Sequence, residues 1–87
     1  MDRKQIENEV IGMIDKVLAE KGLETGKLTL QNPVDHRLGL DSLDWASVIV
    51  QLESVLGVDP FLNAAGMSLS TIDDLVNLYD HALHQAG

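Results

Sequence analysis

Apolar residues recur at helical spacing in three stretches, and this periodicity constrains the fold more than any other feature of the chain. In the first stretch the apolar positions are Ile6, Val10, Met13, Ile14 and Val17. In the last stretch they are Ile72, Leu75, Val76, Tyr79 and Leu83. No stretch alternates apolar and polar residues in the manner of a half-buried strand. The chain is therefore predicted to be all-α.

The middle stretch carries the clearest signals of where a helix begins and ends. Asp41 is a good N-cap residue, and Asp44 three positions later completes a capping-box pattern. If Asp41 is the cap, Ser42 is free of capping duty at the first helical position. The helix is predicted to run from about Ser42 to Leu56 and to end at Gly57.

Two apolar arcs run along this predicted second helix, at about 100° per residue. The broader arc, expected to face the core, consists of Trp45, Val48, Ile49, Leu52, Val55 and Leu56. The narrower arc consists of Leu43, Ala46 and Val50. It is expected either to form an exposed contact strip or to lie half-buried against a neighbouring helix.

A long connection, residues 23–41, precedes the second helix and contains the turn signal Asn32-Pro33. A loop of this length in a small domain needs anchors in the core. The apolar residues that can supply them are Leu23, Leu28, Leu30, Val34, Leu38 and Leu40.

Two further start signals follow the second helix. Asp59-Pro60 predicts a cap and a short helix from Phe61 to Ala65. Ser70 with Asp73 predicts the start of the last helix. Residues 1–87 are therefore expected to form a single domain, a four-helix bundle of three longer helices and one short helix with a long loop between helices one and two.

The composition limits the classes of function. The chain carries a formal net charge of −8 and no cysteine, so neither disulfides nor thiolate metal sites can support the fold. The negative charge disfavours binding to nucleic acid and to anionic membranes. No apolar run approaches the ~20 residues of a membrane span, and the first helix is too charged for a signal peptide. We therefore expect a monomeric cytoplasmic protein that does not insert into membranes.

The charges are distributed unevenly along the chain. Residues 1–37 hold seven acidic residues and all six Lys and Arg residues, whereas residues 38–87 hold seven acidic residues and no Lys or Arg. A solvated helical surface normally mixes the two signs, because opposite charges pair between turns. The imbalance favours a face that meets basic partners, although acidic residues kept only for solubility would explain it equally well.

Ser42 lies where an anionic ester is stabilised, because the first N–H groups of a helix are unpaired and carry partial positive charge. The segment Asp41-Ser42-Leu43, preceded by Leu38-Gly39 and followed by an apolar helix ending in Leu52-Glu53, resembles the acyl carrier proteins. The resemblance covers nearly the whole chain. It implies a helical bundle whose Ser42 receives 4′-phosphopantetheine from coenzyme A through a phosphopantetheinyl transferase. The thiol of that arm would carry acyl groups as thioesters between enzymes, without catalysis by the chain itself.

The same resemblance implies roles for residues around the second helix. Asp41 would help the transferase to recognise the serine. The docking surface for acyltransferase- and ketosynthase-type enzymes with basic patches would consist of Asp41, Leu43, Asp44, Val50 and Glu53. A pocket for a short acyl chain would be lined by Trp45, Ile49, Leu52, Leu56, Phe61 and Leu62. A fully packed core without a cavity fits the same residues.

Departures from the family pattern bear on the pathway. Ser47, Gln51 and Ser54 lie on the side of the second helix where fatty-acid carriers usually have glutamates. This favours a discrete carrier of a specialised polyketide or lipid pathway over one that serves general fatty acid biosynthesis. The alternatives are a carrier-like interaction protein that is never modified, and a peptidyl or aminoacyl carrier.

Two other kinds of site are disfavoured. His81 and His84 beside Asp80 could share one helical face, but no third ligand is evident, so no metal site is predicted. A hydrolase that uses Ser42 is disfavoured because the chain lacks a Gly-x-Ser-x-Gly turn and a small bundle offers no evident oxyanion hole.

Overall fold

The structure is a computed structural model that describes residues 1–61 and 68–85. Within these residues the chain forms three α-helices and no strand: α1 (Arg3–Glu20), α2 (Ser42–Leu56) and α3 (Ile72–Gln85). The all-α prediction is confirmed. None of the helices in the described part of the chain is long and apolar enough to cross a membrane.

The predicted short helix lies almost entirely where the structure gives no description. Phe61 is in a turn, and residues 62–65 fall outside the described ranges. The structure therefore establishes an all-helical fold but not the four-helix bundle expected from the sequence.

α1 and α2 both begin with a capping box. Asp2 caps α1, since its side chain accepts from the N–H of Gln5 at 2.9 Å while Gln5 Oε1 accepts from the N–H of Asp2 at 2.9 Å. α2 begins at Ser42 and ends before Gly57, whose positive φ of 75° closes the helix. α1 packs against both α2 and α3.

One apolar core joins the three helices and the end of the long loop. Its buried residues are Ile6, Val10, Ile14, Val17, Leu18, Leu40, Val48, Leu52, Leu56, Ile72, Leu75, Val76, Leu78 and Tyr79. Met13 and Leu83, also predicted as core residues, are partly buried at its edge. The helical periodicity of the sequence thus identifies most of the core.

The long loop is held by backbone hydrogen bonds to the start of α3. The carbonyl of Asn32 accepts from the N–H of Ile72 at 2.9 Å, and the carbonyl of Leu30 accepts from the N–H of Asp73 at 2.8 Å. These bonds pair N–H groups of the first helical turn, which have no partner within the helix. The loop and α3 are therefore fixed relative to each other.

The predicted loop anchors are largely confirmed. Leu40 is fully buried, and four others pack partly buried against the core: Leu28, Leu30, Val34 and Leu38. Leu23 differs, since it lies exposed at the surface. Its side chain instead covers Gly39, as described below.

Two predictions about helix residues are wrong in detail. The last helix begins at Ile72, and its capping bonds join Thr71 and Asp74 rather than Ser70 and Asp73. Ser70 and Thr71 are both good cap residues, and the sequence alone does not distinguish the two positions. Val55, assigned to the core arc, is 50% exposed.

The exposure of Val55 follows from its place on α2. It lies one turn beyond Gln51, whose side-chain oxygen accepts from Lys16 Nζ at 2.9 Å. This exposed hydrogen bond marks the solvent edge of the contact between α1 and α2. Val55 continues along the same edge, which α1 does not cover.

Candidate functional site

Ser42 occupies the first position of α2, and its side chain is exposed. The capping bonds of this helix are made by its neighbours. Asp41 Oδ1 accepts from the N–H of Asp44 at 2.9 Å, and Asp44 Oδ2 accepts from the N–H of Asp41 at 3.0 Å. This reciprocal pair confirms the predicted capping box and leaves the Ser42 hydroxyl available at the surface.

The backbone that leads into Ser42 is fixed by a glycine and a buried leucine. Gly39 has a φ of 91°, a left-handed conformation that side chains with a Cβ rarely adopt. A Cβ at this position would lie 2.8 Å from Leu23 Cδ1, so there is no room for one. Leu40 then enters the core, which holds the chain two residues before the serine.

An ion pair joins the end of α1 to the start of α2. Lys21 Nζ donates to Asp44 Oδ2, the oxygen that also accepts from the backbone of Asp41. The hydrogen bond from Lys21, supported by the bond with Asp41, holds the pKa of the Asp44 carboxyl below its ordinary value of 3.8. The same contact raises the pKa of the Lys21 ammonium. The sequence contains no signal for this pair, because its two residues are brought together only by helix packing.

A cavity of about 280 Å³ adjoins Ser42 on α2. Its lining residues are Val34, Ser42, Trp45, Ala46, Ile49, Phe61, Leu69 and Leu75. Except for Ser42, these side chains are largely apolar. The cavity therefore offers a largely apolar space, open to solvent, that begins at an exposed hydroxyl.

The lining only partly matches the predicted pocket. Trp45, Ile49 and Phe61 contribute to it, whereas Leu62 lies outside the described residues. Leu52 and Leu56 are instead buried in the core, because they lie on the same stripe of α2 as Trp45 and Ile49 but farther from Ser42, toward the end of the helix.

Sequence reasoning missed several cavity residues. They are Val34 from the long loop, Ala46 from the narrower arc of α2, Leu69 from the segment before α3, and Leu75 from the first turn of α3. Ala46 had a usable signal, since it lies one turn after Ser42 on the same side of the helix. The others are adjacent to Ser42 only because the loop is bonded to the start of α3.

The apolar residues of the narrower arc of α2 are exposed to solvent. Leu43 is 81% exposed and Val50 is 64% exposed, which agrees with their predicted position away from the core. Of the acidic residues expected to dock partners, Asp41 is exposed and Glu53 is partly exposed. Asp44 differs from both, since Lys21 and the Asp41 backbone already occupy its carboxylate.

No group of three or more His, Cys, Asp or Glu side chains in the described ranges is arranged to hold a metal ion. His84 Nδ1 lies 3.0 Å from Asp80 Oδ1 and 2.8 Å from the Asp80 carbonyl oxygen. Both contacts are within α3, so this histidine is part of a local helical pair.

A phosphodiester on Ser42 fits its surroundings. Ser42 is the first residue of α2, and partial positive charge at this helix end favours an anion. The carboxylates of Asp41 and Asp44 would repel the phosphodiester, but the positive charge of Lys21 offsets part of their negative charge. A flexible group attached here also has direct access to the adjoining apolar cavity.

Comparison with known proteins agrees with this geometry. The family described as "Phosphopantetheine attachment site" matches residues 9–79. A protein named "Acyl carrier protein" from Azobacteroides pseudotrichonymphae genomovar. CFP2 is 28% identical over 82 residues, which cover 94% of this chain and 93% of the relative. No solved structure matches the chain. The resemblance to acyl carrier proteins is confirmed: the chain belongs to the phosphopantetheine attachment family and is a carrier protein with a 4′-phosphopantetheine cofactor, not an enzyme.

Proposed function

We propose that Ser42 is the residue that carries the 4′-phosphopantetheine arm. The main observation in support is the capping box formed by Asp41 and Asp44. These two residues make the capping hydrogen bonds that a serine at the start of a helix would otherwise make. The exposed hydroxyl can then accept the phosphopantetheinyl group of coenzyme A in the active site of a transferase. The Oγ–P bond forms as the pyrophosphate P–O bond breaks, adenosine 3′,5′-bisphosphate leaves, and the hydroxyl proton passes to the transferase.

The bound arm supplies a thiol that holds acyl groups as thioesters. We propose that the protein shuttles such groups between enzymes of fatty acid, polyketide or related lipid biosynthesis. The protein's own residues then have three tasks: Ser42 holds the arm, the cavity beside it shelters a short acyl chain, and the exposed face of α2 binds partner enzymes. Trp45, Ile49 and Phe61 support the sheltering role, because all three line the cavity.

Docking is proposed to depend on the apolar strip formed by Leu43 and Val50, whose side chains are largely exposed. Asp41 and Glu53 would add charge at its edges. The absence of Lys and Arg from residues 38–87 favours partners with basic patches, which would be attracted quickly and released readily. Asp44 contributes less directly, because its carboxylate is engaged within the protein.

A specialised polyketide or lipid pathway is the setting that the surface of α2 favours. Where an acidic face would be expected of a fatty-acid carrier, Gln51 Nε2 donates to Ser47 Oγ at 3.0 Å. Ser54 lies exposed one turn beyond Val50. This neutral face suits partners that recognise apolar and hydroxyl groups together with a few charges.

Mass spectrometry of the intact protein tests the attachment. Incubation with coenzyme A and a broad-specificity phosphopantetheinyl transferase should add one phosphopantetheinyl group to the wild type and none to Ser42→Ala. Ser54→Ala is the matched control, because it removes an exposed serine from the same helix. It should be modified as the wild type is. No mass gain with several transferases would favour an interaction protein that is never modified.

A further inference from the structure

The end of α1 contacts the segment around the proposed attachment serine at two points. Lys21 is the C-cap residue of α1, and its Nζ donates to Asp44 Oδ2 in the first turn of α2. Leu23 Cδ1 lies 2.8 Å from the position that a Cβ on Gly39 would take. The backbone here is fixed, since the N–H of Leu23 donates to the carbonyl of Leu18 at 2.9 Å. The fold therefore holds Lys21 beside the start of α2.

This contact brings a cation to a part of the surface where the sequence supplies only acids. Among the described residues, two Lys or Arg side chains pair with acidic residues of the segment 38–87. Arg3 pairs with acidic residues of α3, and Lys21 pairs with Asp44 of α2. The carboxylates of Asp41 and Asp44 together with the Lys21 ammonium leave one net negative charge at the start of α2, where the local sequence alone would place two.

The Asp44 carboxylate already has a charged partner. Its Oδ2 accepts from Lys21 Nζ and from the N–H of Asp41, and its side chain is only 22% exposed. The hydrogen bond between the two side chains lowers the pKa of the Asp44 carboxyl and raises the pKa of the Lys21 ammonium, so both stay charged near neutral pH. A cation on a partner enzyme therefore has to displace Lys21 before it can pair with Asp44.

We propose that Lys21 is a specificity-determining residue of this carrier, because it withholds Asp44 from partner enzymes. The proposal rests on the attachment at Ser42 and on docking along α2. A partner that depends on a cation at the start of α2 competes with Lys21 and binds weakly. A partner that contacts the exposed side chains of Leu43 and Val50 is not affected. Selection among partners thus depends on a residue of α1 that lies outside the docking strip.

Replacement of Lys21 in the full-length protein tests the proposal. Lys21→Gln removes the ammonium but leaves the capping box of Asp41 and Asp44, so α2 can still begin at the same residue. The KM of a phosphopantetheinyl transferase with a basic carrier-binding surface should fall by up to about fivefold, which is what one exposed ion pair can contribute, while kcat stays the same. The difference should vanish in about 1 M salt, where charges are screened within ~3 Å. A transferase with a mainly apolar carrier-binding surface should show the same KM for both proteins.

Lys16→Gln is the matched control for the change in net charge. Lys16 also reaches from α1 to α2, but its Nζ donates to the neutral side chain of Gln51 at 2.9 Å. This variant should change the KM much less than Lys21→Gln does. A second background isolates the carboxylate: Asp44→Asn keeps an acceptor oxygen for the capping bond and removes the charge. In the Asp44→Asn protein, Lys21→Gln should have no further effect on the KM.

The possible outcomes separate this proposal from the attachment itself. An unchanged or raised KM for Lys21→Gln would overturn the proposal, as would an equal fall for Lys16→Gln or with the apolar transferase. A fall that persists in the Asp44→Asn background would also overturn it. A lower kcat together with lower stability in urea would show that Lys21 acts only on the fold. Modification that persists in Ser42→Ala, or no modification of the wild type by intact mass, would overturn the attachment at Ser42 and with it this proposal.

Discussion

Single residues decide how the chain presents Ser42. Gly39 provides the left-handed turn before the helix, and Leu23 Cδ1 occupies the space where a larger residue would need its Cβ. Asp41 and Asp44 then cap the start of α2, so the Ser42 side chain is not needed for capping. The position of the hydroxyl is therefore determined by these four residues.

Replacing Gly39 by alanine should destabilise the protein. The left-handed conformation costs an alanine about 1–2 kcal/mol, and the contact with Leu23 adds to this cost. Gly12→Ala is the control, because Gly12 lies in the middle of α1 with no atom within 4 Å of a built Cβ. That change should stabilise the protein by about 0.5–1 kcal/mol. Urea unfolding measures both, and a Gly39→Ala protein as stable as the wild type would contradict the tight turn.

At the scale of one element, α2 has a buried face and an exposed face. One face contributes Val48, Leu52 and Leu56 to the core, and the opposite face exposes Leu43 and Val50. Because the faces are distinct, a substitution on the exposed strip should change binding without changing the fold. The ion pair between Lys21 and Asp44 holds the beginning of this helix against α1.

A pair of identical substitutions on α2 tests the docking strip. Val50→Ser should raise the apparent KM of a phosphopantetheinyl transferase for the protein by about tenfold, because a buried valine contact is lost at the interface. Val55→Ser removes an equally apolar and exposed residue from the edge near α1, and it should leave the KM unchanged. Both variants should unfold like the wild type. Equal effects of the two would place docking elsewhere than on the strip.

At the scale of the whole molecule, a small apolar core is surrounded by carboxylates, several of which accept hydrogen bonds in the folded state. Lys21 lowers the pKa of Asp44, and the backbone N–H groups of Ser70 and Thr71 lower that of Asp74. Arg37 lowers the pKa of Asp35 to about 2. A carboxyl with a lowered pKa in the folded state binds protons less readily than it does when the chain unfolds.

Acid should therefore destabilise the protein. The contribution of these carboxylates is fully present above the ordinary aspartate pKa of 3.8 and is lost as the pH falls through the lowered folded values. The free energy of unfolding should fall steadily below about pH 4. Asp74→Asn keeps an acceptor oxygen but does not titrate, so its stability should fall less steeply over the same range. Urea unfolding at a series of pH values measures both slopes, and identical slopes would exclude Asp74 as a contributor.

The sequence predicted the helices well where their signals are local. Asp41, Asp44 and Gly57 define α2 through bonds within a few residues of one another, so both ends were predicted correctly. Leu43 and Val50 were placed away from the core because helical periodicity alone determines which positions share a face. The family was recognised on the same local segment around Ser42, because the modification chemistry requires a serine in that context.

The cavity and the ion pair, in contrast, were decided by tertiary structure. Val34 and Leu75 meet beside Ser42 only because loop carbonyls bond to the first N–H groups of α3. Lys21 reaches Asp44 only because α1 packs against α2. Likewise, periodicity assigned Trp45 to the core arc but could not place its side chain against the cavity beside Ser42. By itself the sequence determined that a serine begins α2 behind its own capping box, because those signals are local; the packing of loop and helices determined the cavity beside that serine.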